Sequence, residues 1–143
     1  MYFSLRGLKM KKYFYASFTY LILGLIAGVF YRELTRMSDF TGETVLRGVH
    51  THLLVLGFIF FLVILLLDKS FQLSQLKSAK AWFVTYQVGL VTVIATMVAR
   101  GVAQVKGFDI AGLSHMAGVS HTLLGIALIW FMVLLGKAIK TEK

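Results

Sequence analysis

The chain has 143 residues, of which 58% are hydrophobic and only 15% charged, and its formal net charge is +9. A soluble domain carries about a quarter charged residues; here the charges cluster between long uncharged runs, as in a membrane chain. With no cysteine there is no disulfide, thiolate metal site, CxxCH haem attachment or cysteine nucleophile.

The first uncharged run, Tyr13–Tyr31, follows Lys9, Lys11 and Lys12 and has no A-x-A-like cleavage site after it, so it reads as a retained helix and not a signal peptide. It contains Gly24 and Gly28, a GxxxG pair that permits close helix packing. A polar stretch, Arg32–Arg47, leads to the second run, Gly48–Leu67, which opens with His50 and His52. The third run is Ala81–Ala99, with Thr85, Gln87, Thr92 and Thr96 as candidates for hydrogen bonds between helices. The fourth, Ile110–Gly136, carries His115 and His121. Each run reaches the roughly 20 residues needed to cross the hydrocarbon core. The expected architecture is all-α: one domain over residues 1–143, with membrane-spanning helices at about 13–32, 46–67, 81–100 and 112–136.

Ten of the fifteen Lys and Arg residues fall at the N-terminus, in the middle loop and at the C-terminus. The other five (Arg32, Arg36, Arg47, Arg100 and Lys106) fall in the two alternate connections. The positive-inside rule then places both termini in the cytoplasm of a multi-pass protein of the cell membrane. Lipid head groups account for the basic excess without nucleic acid, for which no recognition motif appears. All six acidic residues are assigned to loops or tails, which disfavours ion-coupled transport. No Ser-His-Asp set, HExxH or phosphate loop is present, which disfavours hydrolase chemistry.

The four histidines carry the most chemical information. Imidazoles in a bilayer are costly unless satisfied, and they usually face the bundle interior. His52 lies 16 residues before Asp68, and His121 lies 16 before Lys137, these being the first charges at the far ends of their helices. The two helices run in the same direction. Both imidazoles therefore sit at one height, about 24 Å above the cytoplasmic boundary at roughly 1.5 Å per residue. Two inward imidazoles at one height suit the two axial positions of a haem iron. Gly48 and Gly125 lie one helical turn from these histidines and leave room for a porphyrin edge. Arg47 and Arg100, at the helix boundaries, are candidate partners for the propionates. His50 points away from His52 by helical geometry and competes with it for the inward position. Phe58, Trp82, Tyr86 and Trp130 are available to line a ring.

The expected cofactor is a non-covalently held haem b on His52 and His121, serving electron transfer, haem sensing or haem handling. Copper or zinc on the same imidazoles is the alternative. So is an accessory subunit whose histidines only cap or join helices. Lipid is the certain partner; a second copy of the chain or a redox partner in the membrane is compatible with so small a bundle.

Two stretches, Ile22–Arg36 and Val49–Lys69, carry a family likeness that continues through Val98–Val105 and Gly118–Ile129. Nearly the whole chain resembles a family of small four-helix membrane proteins of unknown function from low-GC Gram-positive bacteria. The HTHLLVLG stretch, His50–Gly57, is also similar to a ligand-bearing helix of the haem-copper oxidase superfamily. That shorter likeness implies haem ligation by His52 or His50 and by His121, in a fragment of that architecture and not a complete oxidase.

Overall fold

The computed structural model describes the backbone of residues 2–141 and the side chains of residues 10–140. Helix α1 spans Tyr2–Met37. The second crossing segment, Val45–Phe71, is composite. A 3-10 turn, Val45–Gly48, leads into α2 (Val49–His52), then a π-helical stretch (Leu53–Ile59), then α3 (Phe60–Phe71). A 3-10 turn at Leu73–Gln75 precedes α4 (Ala79–Lys106), which is followed by α5 (Leu113–Thr141). Among the described residues, four segments, Met10–Met37, Val45–Phe71, Ala79–Lys106 and Leu113–Lys140, are long and apolar enough to cross a membrane. The chain is a multi-pass protein of the plasma membrane.

The helices overrun the uncharged runs at most ends. Helix α1 continues from Arg32 through Met37 instead of breaking into a loop. Lys, Arg, Glu and Leu are good helix formers, so a charge marks the membrane boundary and not the helix end. What stops α1 is Asp39, in the left-handed region at φ 45°. Phe40 N–H donates to Thr35 O (2.9 Å) and Asp39 N–H to Arg36 O (3.2 Å), the bond pair of a Schellman cap. Helix α4 stops the same way at Gly107, φ 75°, with Phe108 N–H on Ala103 O at 3.1 Å.

Helix α1 packs along the second crossing segment, and α4 packs along α5. The two pairs meet along the bundle. At the end bearing the histidines, the turn Val45–Gly48 crosses α4. There Gly101 lies so close to Leu46 that a Cβ on it would sit 2.7 Å from the Leu46 nitrogen. Thr44 Oγ1 donates to Gly101 O at 3.0 Å and also caps Leu46 N–H, while Gln104 Oε1 accepts from Val45 N–H at 2.9 Å. Helix α3 also approaches α5. The core between is aromatic: Phe60, Phe61, Trp82, Tyr86 and Phe131 interlock, with ring centres 4.7–5.7 Å apart between Phe60 and Tyr86, Trp82 and Phe131, and Trp82 and Tyr86. Along α5 the buried positions Ser120, Leu124, Ala127, Phe131, Leu134 and Ala138 alternate steps of four and three, the seam of close helix pairing.

Aromatic hydroxyl and indole groups also join the crossing segments by hydrogen bonds. Trp82 Nε1–H donates to Ala127 O (2.8 Å), and Tyr20 donates to Gln87 Oε1. Thr92 and Thr96, expected to join helices, instead donate to carbonyls one turn back in α4. Placing every acidic residue in a loop or tail also needs correction. Glu33 lies within α1, and Asp68 is a fully buried residue of α3. Asp68 Oδ1 accepts from Ser74 N–H and so folds the chain back after Gln72, which is left-handed at φ 51°.

Candidate functional site

His52 and His121 meet. Their ring centres are 6.1 Å apart and their planes are nearly perpendicular, at 86°. The equal heights expected from their distances to Asp68 and Lys137 are realised, although 69 residues separate them. Helix α5 contacts the second crossing segment through α3, and the imidazoles meet on the His52 side of that contact. His52 is half-buried and His121 is exposed.

Each ring is held the same way. His52 Nδ1 lies 2.9 Å from Gly48 O, and His121 Nδ1 lies 2.7 Å from Ala117 O, in both cases the carbonyl four residues back. A carbonyl only accepts, so each Nδ1 carries the proton. That fixes the tautomer and leaves Nε2 with the free lone pair in both rings. A carbonyl behind a ligating histidine is the usual support for a metal-binding imidazole.

The neighbouring glycines differ. A Cβ on Gly48 would meet Met97 Cε at 3.0 Å and the His52 ring at 3.8–3.9 Å, so Gly48 keeps the wall beside His52 thin. Gly118 and Gly125 have nothing within 4 Å of where a Cβ would stand, so α5 borders open space on either side of His121. A cleft of about 400 Å³ opens at the histidine end, with Glu43, Arg47, Gly48, Met97 and Gln104 among its walls. Arg47 there pairs with Glu43 at 3.4 Å, a partner the spacing of charges alone did not suggest. Arg100 is exposed and, next to Gly101, lies at the same crossing as Arg47.

His50 is not brought to the pair. It stands against α1, its Cβ 3.9 Å from where a Cβ on Gly28 would be, with Nδ1 buried and without a hydrogen-bond partner. His115 lines two shallow grooves along α5, of about 360 and 580 Å³, with Val119 and Leu123. Trp82 and Tyr86 belong to the aromatic core, their polar atoms bonded to Ala127 O and Leu56 O. Among the described residues, no group of three or more His, Cys, Asp or Glu side chains converges to hold a metal ion.

Spacing arguments did not reveal the π-helical stretch Leu53–Ile59, which begins at the residue after His52. Such stretches are rare and recur at functional sites. A signal for it was present. Val49, Leu53, Gly57 and Phe61 are all buried and four residues apart. In an α-helix, three such steps drift by about 120°, close to the 100° of one extra residue. The π turn absorbs that drift and keeps the stripe inward.

These features define a small multi-pass membrane protein: an all-α bundle of four crossings, with a histidine pair held between its second and fourth. The family model described as "Protein of unknown function (DUF2871)" matches residues 10–138, and the chain belongs to that family. No curated protein and no solved structure matches the chain, so the short likeness to the haem-copper oxidases gains no support from either comparison.

Proposed function

We propose that the protein binds one haem b non-covalently, with His52 and His121 as axial ligands through Nε2. The observation that carries this proposal is the paired imidazoles, with both Nδ1 protons committed to backbone carbonyls. Two metal–imidazole bonds of about 2.0–2.1 Å, plus about 1.1 Å from each ring centre to its nitrogen, span roughly 6.3 Å. The ring-centre separation of 6.1 Å leaves room for one metal ion between the rings when both Nε2 atoms lie on the line joining the centres. The donor set also favours haem over a bare ion. Zinc normally takes four ligands, at least three of them from protein, whereas a porphyrin supplies four nitrogens and leaves two positions to the chain. Coverage of the exposed His121 by a ligand would also remove a polar ring from lipid, where it is costly.

In this reading Gly48 and Gly125 give the macrocycle edge room, and Arg47 and Arg100, at the same crossing, are cations available for its carboxylates. Arg47 would exchange an exposed partner, Glu43, in an ion pair of the kind that contributes little. Both termini are placed in the cytoplasm by the distribution of Lys and Arg, which puts the histidine pair toward the outer leaflet. A bis-histidine haem supplies one-electron exchange. The chain's own contribution is to fix both tautomers and hold both rings.

The test is an oxidised-minus-reduced visible spectrum of protein purified from haem-replete cells, repeated for His52→Ala and His121→Ala. The reading expects a six-coordinate b-type spectrum that is lost or converted to five-coordinate in both variants. Folded but colourless wild-type protein would sink it. Metal analysis of that sample would then separate a copper or zinc site from a histidine pair that only joins helices.

A further inference from the structure

We infer that Ser17 and Tyr86 are positioning residues, whose hydroxyls hold the π turn that aims His52 at His121. The argument starts from the backbone. In an α-helix, Phe60 N–H would donate to Leu56 O, four residues back. Here it donates to Val55 O, five back, and to Gly57 O, three back. The Leu56 carbonyl instead receives the Tyr86 hydroxyl of α4 at 2.8 Å, and the Phe58 carbonyl receives the Ser17 hydroxyl of α1 at 2.9 Å. Two neighbouring helices thus each place a donor on a carbonyl inside the π turn. A buried carbonyl without a partner is costly, so removing these donors favours return of the segment to α register.

That return would move the site. Helix α3 is locked below the turn by Phe61, Ile64 and Asp68, all at 0% exposure. Taking up the extra residue in α register then rotates everything above the turn by about 100° relative to α3. His52 is the residue just above it, and a rotation of that size carries its ring off His121. Gly57 fits the same account. Its Cβ position lies 2.4–2.5 Å from Tyr20 Cγ and Cβ, so α1 presses on the middle of the turn.

The inference rests on the haem reading only for its second readout. The first uses the full chain without cofactor, labelled at histidine: the through-space NMR cross-peak between the His52 and His121 rings. Tyr86→Phe keeps the ring that stacks on Phe60 and deletes the donor; Ser17→Ala does the same on α1. Each is expected to lower the ratio of paired to unpaired conformers about five-fold, the usual effect of one hydrogen bond, and the double variant to lower it about 25-fold and lose most of the cross-peak. Deletion of Val55, an exposed residue within the turn, removes the extra residue itself. It converts the segment to α-helix with both ends still facing inward, so it should restore the cross-peak in the double variant and leave it intact in the wild type. In haem-loaded protein the low-spin fraction should follow the same order. A wild-type cross-peak in the double variant overturns the inference. So does loss of the cross-peak when Val55 alone is deleted, a result that does not depend on whether the double variant folds. Absence of haem from every variant, with the cross-peaks behaving as stated, would defeat the haem reading and leave the positioning role standing.

Discussion

The crossing of the second segment over α4 makes a sharp prediction about Gly101. A Cβ at this position would lie 2.6 Å from Leu46 Cβ, 2.7 Å from its nitrogen and 2.8 Å from its Cα. Atoms of that kind do not pack closer than about 3.4 Å, so Gly101→Ala requires a shift of roughly 0.6–0.8 Å, the strain of an overpacked core. The obstruction is backbone, so no side-chain rotation relieves it. The displaced turn also carries Thr44 Oγ1, bonded to Gly101 O, and Val45 N–H, bonded to Gln104. We expect a loss of about 1–3 kcal/mol, read as a lower midpoint in detergent-based unfolding followed by tryptophan fluorescence. Gly24→Ala and Gly125→Ala are the controls. At Gly24 the obstacle is the flexible end of Leu54, and at Gly125 there is none, so both should stay within about 1 kcal/mol of wild type, the helix-propensity difference between glycine and alanine. Equal midpoints for Gly101→Ala and Gly125→Ala would refute the claim that this close approach holds the histidine end together.

Further outcomes follow from single contacts. Trp82→Phe strips the donor from Ala127 O while leaving most of the aromatic packing, and should cost about 1–3 kcal/mol in the same unfolding assay. Thr44→Val removes both the bond to Gly101 O and the cap on Leu46 N–H; a loss of about 1–2 kcal/mol is expected, with weaker amide protection at Leu46 as its local sign. Asp39→Gly relaxes a non-glycine residue held at φ 45° and should raise the midpoint by up to about 1 kcal/mol, whereas Gly107→Ala, at φ 75° with open space around it, should lower it by a similar amount through backbone strain alone.

The number and order of the crossings were legible because a bilayer imposes a simple rule, a long run without charge, and the chain obeys it four times. The height of the histidine pair was legible for the same reason: the distances from His52 to Asp68 and from His121 to Lys137 are rulers set by the membrane. Helix ends were not legible, since the cue in use was charge and the ends are set by left-handed residues. Asp39 and Gln72 adopt that conformation without being glycine. Asp68 was read as a loop residue because it is charged; its burial depends on Ser74, a contact formed only once the chain has turned back. The threonines of α4 misled because a hydroxyl in a helix can always reach its own carbonyls, and only neighbouring geometry decides against it. The π turn left one mark, the spacing of Val49, Leu53, Gly57 and Phe61, in a run so uniformly apolar that this buried face could not be told from the lipid face by sequence alone.

The histidine pair is divided between the second crossing and the last, and this sets an order in time. The 69 residues from His52 to His121 take roughly 3 to 14 seconds to synthesise at about 5–20 residues per second. During that interval His52 is already attached to a helix in the bilayer while the strand of message encoding its partner is still being read. The site comes into existence only when α5 enters beside α4, so any ligand that needs both rings can be captured only after that helix is in place.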